Sequence, residues 1–255
     1  MNLLLLDAAD VREDGTAELR GRAARHVHEV LRATAGDVVR VGRVGGRVGT
    51  AEVLRTDADG VLLQVTLDAP PPARPGVDVL LALPRPKALR RVLASAAALG
   101  VDRLFLLNAA RVEKSYFGSP ALTPARAEAA LRDGRVQARD TKAPEVPVVP
   151  RFRPVVEDAL EGLLGPSLRL LLDASPNEEA QDVAPGRRVV LAIGPEGGWV
   201  PFERALLQDR GFLPLSFGPR TLKVEAVLPY ALGWLSGSRA PGARHGTLSA
   251  SAAVF

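Results

Sequence analysis

The sequence contains no cysteine. Disulfides, thiolate metal sites and cysteine nucleophiles are therefore excluded. Histidine is nearly as scarce: His26, His28 and His245 are the whole set. The first two stand two positions apart with no third ligand near them in sequence. On a helix they point in different directions, so no metal site is expected. Aromatic residues make up 4% of the chain, with seven Phe, two Trp and two Tyr. That leaves too few rings for a surface built on serial base stacking. Long apolar runs are missing as well. Runs such as Val77–Leu83 and Leu168–Ala174 fall far short of the ~20 residues of a bilayer crossing. The start, Met1-Asn2-Leu3-Leu4-Leu5-Leu6-Asp7, has no basic segment and no extended apolar stretch of the secretory kind. A cytoplasmic protein with no membrane partner is expected.

Lysine is the last scarcity. Lys87, Lys114, Lys142 and Lys223 are the only four, and the other basic residues are arginine. Codon bias is one reading. Phosphate recognition is the other, because the guanidinium fork matches phosphate oxygens in pairs. The balance of 33 basic to 29 acidic residues, net +4, decides nothing without its distribution. What the chain does have is apolar mass: 47% of 255 residues are hydrophobic. That suits a globular core, in two domains or one large one.

Pro70-Pro71-Pro72-Ala73-Arg74-Pro75-Gly76 cannot lie in a helix or a central strand, and marks a boundary. Residues 1–72 read as mostly strand. Val38–Val41, Arg47–Leu54 and Val61–Leu67 are short β-branched runs split by Gly45-Gly46 and by the turn at 57–60. One helix is expected over Gly21–Ala33. This spacing suggests a small barrel. Residues 76–237 alternate apolar strands with amphipathic helices. Strands are expected at Val77–Leu83, Val101–Leu107, Val146–Phe152, Leu168–Ala174, Arg188–Ile193 and Phe212–Phe217. Helices are expected at Lys87–Leu99, Pro124–Arg139, Val155–Leu164, Pro201–Asp209 and Glu225–Leu235. This is an α/β pattern with a mostly parallel sheet covered on both faces. Residues 238–255, rich in Ala, Gly and Ser, read as a flexible tail.

Ligands of such sheets bind beyond the carboxyl ends of the strands, so the loops there are informative. Ile193-Gly194-Pro195-Glu196-Gly197-Gly198-Trp199 joins a strand to a helix. Its glycines describe a sharp turn or a backbone that something approaches closely. It has neither Gly-x-Gly-x-x-Gly nor the Lys-Ser/Thr of a phosphate loop. A tight turn is the plain reading, but a turn does not need Glu196. Phe217-Gly218-Pro219-Arg220-Thr221-Leu222-Lys223-Val224-Glu225 also leads from strand to helix. Glu225 suits a helix start, whereas Arg220 and Lys223 oppose the dipole there and suggest an anionic substrate.

Gly-Pro-Glu-Gly-Gly at 194–198, followed by the Gly-x-Arg-x-Leu-Lys-x-Glu run from Gly218 to Glu225, resembles the ribosomal RNA small subunit methyltransferase E family. Those proteins are uridine-N3 methyltransferases of the SPOUT superfamily. The likeness extends to His26 through Arg32 with Gly36-Asp37, to Leu83-Pro84-Arg85-Pro86-Lys87, to Arg111–Tyr116, and to Gln137 with Pro144-Glu145-Val146. The resemblance implies a PUA-like N-terminal β-barrel that helps hold RNA, then a trefoil-knotted methyltransferase domain. It implies S-adenosylmethionine bent in the knot against Asp173, Ala174, Ile193, Gly194, Glu196, Gly197, Gly198, Leu215, Phe217, Gly218 and Leu222. It implies a homodimer with the active site at the subunit interface, acting on small-subunit ribosomal RNA, free or assembled. The chain departs from the family at Val200, where a serine is usual, at Lys223 in place of arginine, and at Ala226-Val227.

A cation such as Arg220 or Lys223 favours the N3 anion of uracil. Glu196 and Glu225 are candidates for a base by elimination. Arg22, Arg25, His26 and Arg32 could form one basic helical face, and Arg85, Lys87, Arg90 and Arg91 another. With Arg111, Lys114, Arg139 and Lys142 they would make a phosphate track; the alternative for each is a solvated face. Tyr116 and Trp199 are the aromatic loop candidates, and each is equally a core residue. Two other readings share these residues: a related methyltransferase with another RNA target, and a non-catalytic RNA binder that kept the fold.

Overall fold

A computed structural model describes residues 3–57, 59–172, 186–218 and 220–238. The expected cofactor contacts Asp173 and Ala174, and the expected tail from residue 239 onward, lie outside the described residues. Backbone contacts divide the chain into two units. One holds residues 1–74, 85–104 and 114–147; the other holds 75–84, 105–113 and 148–255. The contact grouping thus does not follow the single cut expected at 72–76.

The first unit is built on a five-stranded sheet. Its strands are β1 (Leu4–Leu6), β2 (Thr16–Leu19), β3 (Val38–Arg43), β4 (Val48–Asp57) and β5 (Gly60–Ala69), in the order β1-β3-β4-β5-β2. β1 pairs with β3 in parallel and the other pairings are antiparallel. Alternation sets the faces: Val39, Val41, Ala51, Val53, Leu63 and Val65 are buried, while Arg40, Glu52 and Gln64 are exposed. Leu4, Leu6, Leu19 and Val27 complete that core.

The expected helix over 21–33 is not one regular helix. It is α-helical only over Gly21–Arg25 (α1), widens to a π-type turn over His26–Leu31, and stops on Arg32 at φ 52°. The Arg32 and Ala33 N–H groups both turn back to the Val27 carbonyl.

Helices α2 (Pro86–Ala98) and α3 (Pro124–Ala138) belong to the same unit. Each opens on a proline, whose fixed φ suits a first turn. Their contact tightens at Gly134, where a Cβ would lie 2.1 Å from the Ala94 carbonyl oxygen. Arg135, next to it, is fully buried and donates to Glu128 and to the Thr141 carbonyl.

The second unit carries a six-stranded sheet: β6 (Val77–Ala82), β7 (Arg103–Leu107), β8 (Val148–Val149), β9 (Leu168–Leu172), β10 (Val189–Ile193) and β11 (Phe212–Leu215). The order is β11-β9-β10-β6-β7-β8. The β11–β9, β9–β10, β10–β6 and β7–β8 pairings are parallel. β6 and β10 are buried along their whole lengths, as strands covered on both faces must be. β8 is only two residues long, against seven expected, because Pro147 and Pro150 flank it and can donate nothing to a ladder. The following helical stretch, α4 (residues 152–164), starts three residues earlier than expected and contains a π-type turn over Val155–Ala159. α5 (Pro201–Asp209) and α6 (Val224–Ser238) close the fold. The architecture is α/β.

Candidate functional site

Beyond the carboxyl ends of β9, β10 and β11 lies a cavity of about 350 Å³, within the range of small-molecule sites. Leu172, Ile193 and Leu215, the last residues of the three strands, form its floor. Its walls are the two loops singled out above: Gly194 to Trp199 on one side, and Phe217, Gly218, Arg220, Thr221 and Leu222 on the other. Val224 and Val227 of α6 line it too. Every described residue expected at the cofactor therefore lines this one cavity.

The glycine loop is shaped by backbone requirements. Gly198 sits at φ +74°, where an L side chain is strained. Its N–H bonds back to the Pro195 carbonyl at 2.8 Å. A Cβ on Gly197 would meet Arg111 Cδ at 3.0 Å, and one on Gly194 would meet Trp199 Nε1 at 3.0 Å. Any side chain at 194 or 197 would push against the wall. Trp199 is only 4% exposed, and its ring lies 5.7 Å from that of Phe152. It is a core residue that also faces the cavity. Its Nε1 is buried with no hydrogen-bond partner, a donor left for a ligand or water.

The helix after this loop starts without a hydroxyl side chain at its N-cap. Val200 is the N-cap, Pro201 follows at the first helical position, and Glu203 Oε2 accepts from the Val200 N–H at 3.2 Å. The side chain at the third position thus caps what a hydroxyl at 200 would leave open.

Of the four expected catalytic residues, Arg220 and Glu196 line the cavity and are exposed. Lys223 and Glu225 are not in its wall. Lys223 is exposed at the start of α6, where its carbonyl accepts from the Ala226 and Val227 N–H groups. Glu225 is half-buried in the first helical turn, on the side of the dipole that favours a carboxylate. Several wall residues are not among the cofactor and catalytic residues named from the sequence. Arg111 was assigned to an RNA track, yet its Nη1 donates to the Gly197 carbonyl. Arg204 and Pro195 also line the cavity. Proximity across the sheet produces these contacts, and a spacing pattern carries no signal for them.

Among the expected RNA contacts, Arg22, Arg25, Arg32, Arg85, Lys87, Arg90, Lys114, Arg139 and Lys142 are exposed and belong to the first unit, while Arg111 belongs to the second. The basic face proposed for residues 22–32 is not a regular one, because the π-type turn and the left-handed Arg32 shift its register. His26 adds no cation to it at neutral pH: burial first, and the nearby Arg22 second, hold its pKa below the ordinary 6.5. Arg90 pairs with Asp133 at 3.0 Å, and Arg22 approaches the same carboxylate at 3.9 Å. Among the described residues no cluster of His, Asp or Glu suits a metal ion, and no helix is long and apolar enough to cross a membrane.

Residues 72–236 match the model of a family described as RNA methyltransferase domain. The chain is 30% identical over 264 residues to the ribosomal RNA small subunit methyltransferase E of Treponema pallidum, covering 98% of each. It is 28% identical over 221 residues to the protein of that name in Mycobacterium tuberculosis, covering 85% of this chain and 84% of the relative. Among solved structures, the Neisseria gonorrhoeae ribosomal RNA small subunit methyltransferase E bound to S-adenosyl methionine superposes with a TM-score of 0.73. It covers 94% of this chain and 98% of that one at 19% identity. A Legionella pneumophila methyltransferase in complex with the same cofactor gives 0.73 at 23% identity, with 94% and 99% coverage. These last two likenesses concern the fold, which they share from end to end. With the glycine loop and residues of the Gly218–Glu225 run lining one cavity, and a relative matched over nearly its whole length, the chain belongs to the ribosomal RNA small subunit methyltransferase E family.

Proposed function

We propose that this protein methylates N3 of a uridine in small-subunit ribosomal RNA, using S-adenosylmethionine held in the cavity beyond β9, β10 and β11. The observation that carries the reading is the wall itself. Two loops provide close backbone, apolar side chains and one buried, unpartnered indole N–H. Such a wall suits a neutral nucleoside and an amino-acid tail better than a polyphosphate, which needs a cradle of N–H groups and a lysine.

S-adenosylmethionine supplies an electrophilic methyl group when bound. Gly194, Gly197 and Gly198 keep side chains out of its way, and the buried Ile193 and Leu215 exclude water from it. Arg220 stands at the cavity wall, where a guanidinium stabilises negative charge as it develops on N3. The N3 proton goes to solvent or to Glu196, the carboxylate among the described wall residues. Lys223, outside the wall, is assigned to RNA phosphate and not to the reacting base.

The same reading assigns the five-stranded sheet to a PUA-like barrel that holds RNA. It assigns a trefoil knot to the second unit, and a homodimer in which the partner closes the active site. Mass spectrometry of ribosomal RNA nucleosides from cells with and without the gene is the test. Loss of 3-methyluridine from the small subunit supports the proposal. Unchanged nucleosides, with no S-adenosylmethionine binding by the purified protein, would leave a non-catalytic RNA binder.

A further inference from the structure

One buried carboxylate joins two loops that both wall the cavity. Glu203 is 3% exposed, and each of its oxygens takes a backbone N–H from a different loop. Oε1 accepts from Ala110 at 2.7 Å, and Oε2 accepts from Val200 at 3.2 Å. Ala110 lies in the loop after β7, and Val200 ends the glycine loop after β10. Arg111, the residue after Ala110, reaches the cavity and donates to the Gly197 carbonyl. The contact is tight enough that a Cβ on Gly197 would lie 3.0 Å from Arg111 Cδ. So the glycine loop is held twice, at Val200 by Glu203 and at Gly197 by Arg111. Arg111 is in turn placed by the N–H that Glu203 takes from its neighbour.

We propose that Glu203 is a positioning residue for the cofactor cavity, acting through Arg111, which braces the Gly197 carbonyl and fixes the rim of the glycine loop. This rests on the reading of the cavity as an S-adenosylmethionine site. Helix stability alone does not account for the arrangement. A glutamate at the third helical position needs only the N-cap N–H to complete its capping role, whereas this one also takes a donor from position 110 on another loop. Buried carboxylate bonds to backbone N–H groups are charge-assisted and directional, which suits a joint whose purpose is register. An amide in its place fails in a specific way: a glutamine oxygen can serve one N–H, but its NH₂ then faces the other donor.

The test is a double-mutant cycle read by calorimetric titration with S-adenosylmethionine. Wild type, Arg111→Ala, Glu203→Gln and the double variant are compared, with thermal unfolding recorded for each. The expected result is that each single change weakens binding by on the order of tenfold, as misplacement of a binding element does. The double variant is expected to be no weaker than the weaker single, because both changes break the same brace. A double variant whose loss is the product of the two single losses makes the residues independent and overturns the proposal. So do single variants that bind as wild type does. A fall in melting temperature with unchanged affinity assigns Glu203 to stability alone and also overturns it. Should Glu203→Gln fail to fold, Arg111→Ala decides by itself, since its side chain is exposed. Tenfold weaker binding supports the brace, and normal cofactor binding with weakened RNA binding returns Arg111 to a phosphate contact. Wild-type protein that binds no S-adenosylmethionine removes the functional reading itself, and the brace with it.

Discussion

Arg188 and Asp78 meet in a two-point ion pair, Nε to Oδ2 and Nη2 to Oδ1, each at 2.9 Å. Asp78 is completely buried in β6, the strand beside β10, and Arg188 immediately precedes β10. The pair fixes the start of the strand whose other end carries the glycine loop. Removing one partner of a fully buried pair costs about 3–5 kcal/mol; the Arg188 side chain is 38% exposed, so water screens the charge left behind and a smaller loss is expected. Asp78→Asn should therefore unfold at lower urea concentration. Protein that remains folded should bind cofactor normally, because neither residue lines the cavity. A variant of unchanged stability would mean that the pair contributes nothing net.

Gly198 should tolerate no β-branched residue. At φ +74° a valine costs roughly 1–2 kcal/mol in backbone strain, and the turn back to Pro195 is what aims the loop. The expected outcome for Gly198→Val is a folded protein, by circular dichroism, with no calorimetric S-adenosylmethionine binding. Within the protein a Cβ at 198 would meet only Arg111 Nη1 at 4.0 Å, so the cost to the chain itself is backbone strain and not a clash. Retained affinity would show that the loop does not need its left-handed residue.

Which parts of this site were legible follows from how far each signal reaches along the chain. The glycine loop and the Gly218–Glu225 loop were, because turn chemistry and strand-to-helix transitions are local. β6, β10 and α5 were read within a residue or so, since their apolar patterns are strong. β8 is shorter than its valines predict, because the prolines on either side of it end the ladder. The regular helix expected over 21–33 ignored that a π-type turn shares the same hydrophobic period over so few residues. Arg111 and Glu203 were not legible as wall and brace. Their roles come from contacts across 86 and 93 sequence positions, which no periodicity encodes. Lys223 looked catalytic because it lies three residues from Arg220, yet it stands immediately before α6 and outside the wall, while its neighbours Leu222 and Val224 line the cavity.

RNA affinity should respond to Asp133. Its carboxylate holds Arg90 at 3.0 Å and lies 3.9 Å from Arg22, so both cations are partly engaged before RNA arrives. Asp133→Asn should tighten RNA binding and steepen the log–log salt dependence by about one unit. Removing Arg90 and Arg139 together should flatten it by about one to two units. Filter binding over a salt series reads both, and slopes indifferent to all three changes would return these arginines to a solvated face.

His26 gives a pH dependence of stability with a definite sign. Burial, then Arg22, depress its pKa below 6.5, so folding favours the neutral ring. The stability linked to this is present above the unfolded value and is lost as pH falls through the folded one. Carboxylates held low by their partners, Asp14, Glu18, Asp37 and Glu161, act only at more acid pH. Between pH 7.5 and 5.5 wild type should therefore lose melting temperature, while His26→Gln should lose less. Parallel curves would show that protonating His26 carries no folding cost.

Arg220 offers the sharpest test of the chemistry. It lines the cavity from the loop that precedes α6, where a cation opposes the helix dipole, so helix stability does not explain it. If it stabilises negative charge forming on N3, its contribution belongs to the transition state more than to either bound substrate. Arg220→Ala should then lower kcat by ~10²–10³, as loss of one preorganised electrostatic donor does. KM for RNA and the affinity for S-adenosylmethionine should move far less. Raising the pH should partly restore the rate, because more uridine ionises unaided, whereas wild type should gain little. Arg220→Lys separates charge from shape: a point cation should recover most of the rate if the field alone matters, and little if the guanidinium fork must grip the base. A variant with normal kcat and weakened RNA binding would make Arg220 a phosphate contact, and activation of the base would then fall to Glu196 alone.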